Sequence, residues 1–189
     1  MKNKFLPSTE KYDGAQLISL RNYLEHGLLG DSIVAWVGAC DVSFEHMVDG
    51  EDLLQNARIA GAKMLHFIVE KFDISLFAAV GLQRLLASIV MEQLRLTSAN
   101  RALAQTMVRR GDDLYCDQRK LSISIATQSP VSSLVHFAVN VNNLETPVET
   151  LSLEDLDVDP EVFAQEVMTQ FCQEVGSIQE ATCKVRWVK

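Results

Sequence analysis

Two runs of alternating apolar and polar residues lie close together between Arg109 and Asn142, and they limit the fold more than any other feature of the chain. In the first, Leu121, Ile123 and Ile125 fall on one side and Lys120, Ser122 and Ser124 on the other. In the second, Val135, Phe137, Val139 and Val141 alternate with His136, Ala138 and Asn140. Period-two alternation marks a strand with one buried and one open face. Two such strands side by side predict a surface carrying a lysine, hydroxyls, a histidine and an amide, and that surface is the candidate site. Alternation assigns faces and not chemistry, because antiparallel sheets commonly turn one side to water.

The flanking segments supply helices. Leu17, Leu20, Tyr23 and Leu24 fall at helical spacing before Gly27, a residue suited to a helix end. Ser75–Leu96 carries a wide apolar face of Leu76, Val80, Leu85, Leu86, Ile89, Val90 and Leu94, as expected of a helix pressed on a sheet. Asp159 followed by Pro160 opens a third helix, in which Phe163, Val167, Phe171 and Val175 form the buried stripe and Gly176 offers a stop. Ile33–Val37 reads as a strand buried on both faces, Glu51–Ile59 as a short helix, and Cys183–Lys189 as a final edge strand. Met64–Phe72 fits either strand or helix, and either geometry puts His66 and Glu70 on one face. Lys2–Lys11 is polar and is expected to be loosely held. The fold class is therefore α+β, a single domain over 1–189 with a mixed or antiparallel sheet packed against helices.

Composition narrows the partners. The 189 residues are 48% hydrophobic and 22% charged, enough for a continuous core and too apolar for overall disorder. A formal net charge of −8 repels phosphate backbones and anionic headgroups, so neither nucleic acid nor a membrane is an expected partner. No run reaches the roughly 20 apolar residues that span a bilayer, and Met1–Pro7 lacks the apolar stretch of a secretory leader. The four cysteines, Cys40, Cys116, Cys172 and Cys183, are widely spaced, which suits free thiols in a reducing cytoplasm. Gly38–Gly50 gathers Cys40, Asp41, Glu45, His46 and Asp49 without a known ligand spacing, so no metal site is expected there. Whether His46, His66 and His136 converge is left open by the sequence.

Asp113–Ser122 (D-L-Y-C-D-Q-R-K-L-S), followed by His136–Asn142 (H-F-A-V-N-V-N), resembles the central hairpin of the biotin and lipoate protein ligases. There an N-D-L-Y segment leads through a tight turn to R-K-L-A-G. The element order over about Tyr12–Val175 resembles the same enzymes, which implies their class II synthetase-like fold. The whole chain is similar to an uncharacterised archaeal and bacterial family, domain-of-unknown-function family 366, through Tyr12–Gly14, Gly30–Val34, His66–Glu70 and Gly111–Tyr115.

The ligase resemblance implies that Lys120 binds an acid and its acyl-adenylate and that Asp113 positions the nucleotide, with ATP and magnesium as cofactors. An ammonium suits that place because it can meet a carboxylate and then the charge that develops beside it. Ser122, Ser124 and Asn140 would orient the substrate, and His136 would exchange a proton near neutral pH. The chain departs from the ligases in three places. Gly38–Gly50 holds no arginine or lysine to grip phosphate, Asp112 replaces their asparagine, and Ile123 replaces their glycine. Three functions follow: a ligase- or transferase-like enzyme acting on a small carboxylate or acyl compound, a non-catalytic metabolite-binding module, or a homodimeric interaction protein. An acyl-transfer variant of the first would use Cys40 as its thiol.

Overall fold

The computed structural model describes residues 1–188. In chain order its elements are β1 (Lys2–Phe5), α1 (Arg21–His26), β2 (Ser32–Asp41), α2 (Gly50–Gln55), β3 (Ala60–Lys71), α3 (Leu76–Thr97), α4 (Arg101–Gln105), β4 (Val108–Arg110), β5 (Asp113–Cys116), β6 (Arg119–Lys120), β7 (Ser122–Gln128), β8 (Ser133–Asn140) and α5 (Pro160–Cys183). Five strands form one sheet in the order β1-β2-β3-β8-β7, in which only β1 and β2 run parallel. The short strands β4, β5 and β6 form a second sheet beside it. The result is one α+β domain.

Helices cover one face of the large sheet. Ile33, Ala35, Leu65, Phe67, Val69, Val135, Phe137 and Val139 pack there against Leu86, Val90 and Leu94 of α3 and Phe163, Val167 and Phe171 of α5. Ser75 caps α3 by accepting from the amide of Ala78, and Asp159 caps α5 by accepting from that of Val162. The opposite face carries a smaller cluster of Leu6, Tyr12, Val34, Trp36, Cys40, Met64, Ile68 and Ala138. Burial on both faces accounts for the unbroken apolar run at Ile33–Trp36.

Several sequence expectations are corrected. The N-terminal residues are not loose: β1 pairs with β2, and Leu6 and Tyr12 are buried. The segment crosses β2 so closely that a Cβ at Gly38 would stand 2.0 Å from the carbonyl oxygen of Glu10. Gly38–Asp41 continues β2 and is not loop, α1 starts later than expected, and α4 occupies part of the expected connection after α3. Helix α5 runs through Gly176 to Cys183, since a helical glycine costs only about 1 kcal/mol. Residues 184–188 form no strand, and Lys189 lies outside the described residues. By length and composition α3 is apolar enough to cross a membrane, contrary to the expectation that no segment would be. Its apolar side is nevertheless spent on the sheet and α5.

The correction that matters most for the site is in the hairpin. Leu121 lies between β6 and β7 and belongs to neither. There the chain passes from the small sheet to the large one, and the alternation slips by one residue. Leu121 enters the helix-side core, and Ser122 and Ser124, opposite Val139 and Phe137, face the same way. Ile123 and Ile125 face the other side with Ala138 and His136. The predicted single surface of lysine, hydroxyls, histidine and amide is therefore divided between the two faces of β7.

Candidate functional site

A cavity of about 470 Å³ opens on the sheet face away from α3 and α5. Lys120, Asp113, Ser122, Ser124, His136 and Asn140 all line it, β7 being an edge strand that can be reached from both sides. Its apolar surface comes from Val42, Ile59, Met64, Ile123 and Ile125, and its rim from α2 and the segment 146–148. The sequence did not point to Tyr12, Val42, Ile59 or Met64 as lining residues. They reach the cavity from the N-terminal segment, a loop and β3, which only tertiary structure brings together.

Lys120 Nζ lies 2.8 Å from Asp113 Oδ2, and the Tyr115 hydroxyl donates to that same oxygen at 3.3 Å. Burial raises the pKa of Asp113, and the Lys120 ammonium partly offsets this. Asp52 in the first turn of α2 is also raised, by burial and then by Asp49, while Lys120 again pulls the other way. Asp112 turns elsewhere: it accepts from Gln83 Nε2 at 2.9 Å and Ser124 Oγ at 2.8 Å and pairs with Arg84 at 3.3 Å. The lining thus carries Asp49, Glu51, Asp52, Asp112 and Asp113 against only Lys120 and Arg58 as permanent cations.

The expected hydrogen-bonding residues are largely committed to the protein. Ser122 Oγ accepts from the amide of Leu114, and Ser124 Oγ bridges Asp112 and Gln83. Asn140 Nδ2 donates to the carbonyls of Lys120 at 3.2 Å and Leu151 at 3.1 Å. The Lys120 carbonyl also accepts from the amide of Leu151, so the backbone that carries the ammonium is fixed from two sides. Asn140→Ala is expected to cost about 1–3 kcal/mol, the usual result of stranding buried polar partners. Urea unfolding measures this, and a cost near zero would show that Asn140 is not the tie described.

His136 lies at the floor. Its Nε2 is 3.1 Å from Nδ1 of His66, whose own Nε2 is 3.2 Å from the carbonyl oxygen of Gly38. Tyr12 stacks on His136 at 3.7 Å between centroids, and Trp36 stacks on His66 at 4.9 Å. Burial lowers the pKa of His66 to about 4, and burial together with His66 puts that of His136 well below its usual value. Both rings are neutral at physiological pH, which corrects the expectation that His136 titrates there. His66 and Glu70 share a face and form no pair: Glu70 accepts from the amide of Leu20 and the hydroxyl of Ser132.

Cys40 is 2% exposed, and burial, with Asp41 adding to it, pushes its thiol up to about 12, so it is no thioester nucleophile. His46 bonds Ser43 and the Asp13 carbonyl, and no set of three or more metal-ligating side chains is assembled among the described residues.

The family described as a domain of unknown function (DUF366) matches residues 1–186. An uncharacterised protein of Methanocaldococcus jannaschii is 30% identical over 182 residues, which cover 93% of this chain and 80% of that protein. A solved protein of unknown function from Pyrococcus horikoshi superposes with a TM-score of 0.89 at 37% identity, over 99% of this chain and 100% of that one. The biotin protein ligase of Aquifex aeolicus, in complex with biotin and ATP, gives a TM-score of 0.61 at 15% identity over 95% and 72% of the two chains. A putative lipoate protein ligase from T. acidophilum with bound lipoic acid gives 0.55 at 15% identity over 93% and 86%. At such identities the likeness to the ligases is one of fold.

Proposed function

The chain belongs to the DUF366 family, and from that premise we propose that it is an acyl-binding module on the ligase fold, holding a small neutral acyl compound with its carbonyl oxygen on Lys120. The observation that carries this reading is the Lys120 side chain, 32% exposed in the wall of a cavity whose apolar surface comes from Val42, Ile59, Met64, Ile123 and Ile125. An ammonium has three N–H donors, and Asp113 takes one of them. A carbonyl oxygen can take another without displacing the aspartate.

The acidic lining selects the charge of the head group. Each uncompensated carboxylate within a few ångströms costs an anion about 1 kcal/mol or more even at high dielectric, whereas an ester, amide or thioester escapes that cost. ATP fares worst, because Gly38–Gly50 has no basic side chain and Asp49, Glu51 and Asp52 line the pocket at the start of α2. Neighbours of this fold hold biotin and lipoic acid, which are carboxylic acids. In this reading the pocket keeps their site and exchanges the acid for its neutral acyl derivative. The sealed Cys40 thiol favours holding over transfer.

Thermal shift of wild type and Lys120→Met tests the reading, with medium-chain esters and amides, their free acids, biotin, lipoate, and ATP with magnesium. A ligand at a hundred times its dissociation constant adds about 2.7 kcal/mol, or roughly 5–10 °C at this size. Esters and amides are expected to give a shift that Lys120→Met abolishes, and the free acids a smaller one. A Lys120-dependent shift with ATP would overturn the reading in favour of an adenylating ligase.

A further inference from the structure

We infer that the floor of the pocket is built to take a hydrogen-bond donor, so that the bound acyl compound carries an O–H or N–H at its far end, directed to Nδ1 of His136. This deepens the acyl-binding reading and rests on it only for the head group.

A short chain of buried atoms fixes where each proton sits. The Gly38 carbonyl can only accept, so His66 Nε2, 3.2 Å from it, carries the hydrogen. A neutral imidazole has one N–H, which leaves a lone pair on His66 Nδ1. That lone pair faces His136 Nε2 at 3.1 Å, so His136 Nε2 is the donor between them. His136, neutral in turn, then has its lone pair on Nδ1. Burial supports neutrality at both rings.

The remaining nitrogen is the exceptional one. His136 is 2% exposed, yet its Nδ1 has no partner among the described residues and is not among the side-chain atoms sealed from solvent without one. It therefore opens on the cavity that His136 lines. The stacked Tyr12 ring and the His66 bond hold the imidazole in place, so the acceptor is preorganised. An ether or carbonyl oxygen there would set lone pair against lone pair. A hydroxyl or amide N–H would satisfy the site, which is how buried polar groups reject ligands lacking the matching atom.

Two measurements decide this. The first is a histidine side-chain nitrogen-15 spectrum of the unliganded protein, expected to show His136 protonated at Nε2 and bare at Nδ1. A proton on Nδ1 overturns the inference. The second compares isomers differing only in the donor: hexanol against methyl pentyl ether, and an ω-hydroxy ester against its ω-methoxy isomer. Wild type is expected to bind the hydroxyl member of each pair about tenfold more tightly, with a shift of the His136 Nδ1 signal. His136→Phe should erase the preference, and Lys120→Met should weaken the esters while leaving it intact. Equal affinity within the pairs, or no response of the His136 signal to any hydroxyl probe, overturns the inference. Esters indifferent to Lys120→Met, with the alcohol preference preserved, overturn only the head-group reading. Should His136→Phe fail to fold, the spectrum and the wild-type isomer pairs decide alone.

Discussion

Phe137→Ala is expected to destabilise the fold by about 3–5 kcal/mol, whereas Ile125→Ala costs about 1 kcal/mol. The contrast follows from which way each strand faces. Phe137 is fully buried on the helix side of β8, opposite Phe67 on β3 and Ser124 on β7. Truncation there opens a void that α3, α5 and the flanking strands are too closely packed to fill. Ile125 stands opposite His136 and is only partly buried, since one side of it lines the cavity. Urea unfolding of both variants reads the difference as separated midpoints at similar slope. Equal costs, or a larger cost at Ile125, would mean that β7 turns its isoleucines to the core as simple alternation predicted.

That slip at Leu121 shows where sequence reading stops. Alternation divides the sides correctly within β8, where Val135, Phe137 and Val139 went to the helix-side core and His136 and Asn140 to the opposite side, but that side is buried too and is not the open face expected. It fails where a strand changes sheets, because a residue outside both ladders costs one step of the pattern and leaves no local mark. Leu121 is such a residue, and Ser122 and Ser124 were misassigned with it. The long helices were legible because their caps are local, Ser75 to Ala78 and Asp159 to Val162. Strand β1 was not, since Lys2–Phe5 is an edge strand and half of its pairing surface comes from β2. Within the site, Lys120 was legible from the alternation and Asp113 only through the resemblance to the ligases, while their ion pair was not foreseen. The acceptor role of His136 was not: it depends on the Gly38 carbonyl through His66, and that chain is assembled from three strands distant in sequence.

Acidification is expected to exploit the same two rings. Both histidines are held below an unfolded pKa of roughly 6.5. Their lowered pKa means that the unfolded chain takes up protons which the folded chain refuses. Stability is then fully present above the unfolded pKa and falls as pH drops from about 6.5 towards the folded value, about 4 for His66. Between pH 7 and 5 His66 contributes a loss of about 2 kcal/mol, and His136 adds to it in the same direction. His26, also lowered by burial, acts in the same direction. Asp113 and Asp52 act oppositely: with raised folded pKa values they bind protons first in the native state, and they offset the loss towards the carboxylate range. Urea unfolding across this pH range is expected to show the decline in wild type and a smaller one in His136→Phe, which keeps only His66 of the pair. A flat profile in wild type would mean that the rings gain protons without unfolding, and the neutral pair, with the acceptor it presents to the pocket, would have to be given up. A decline that His136→Phe leaves unaltered would place the titration elsewhere in the chain.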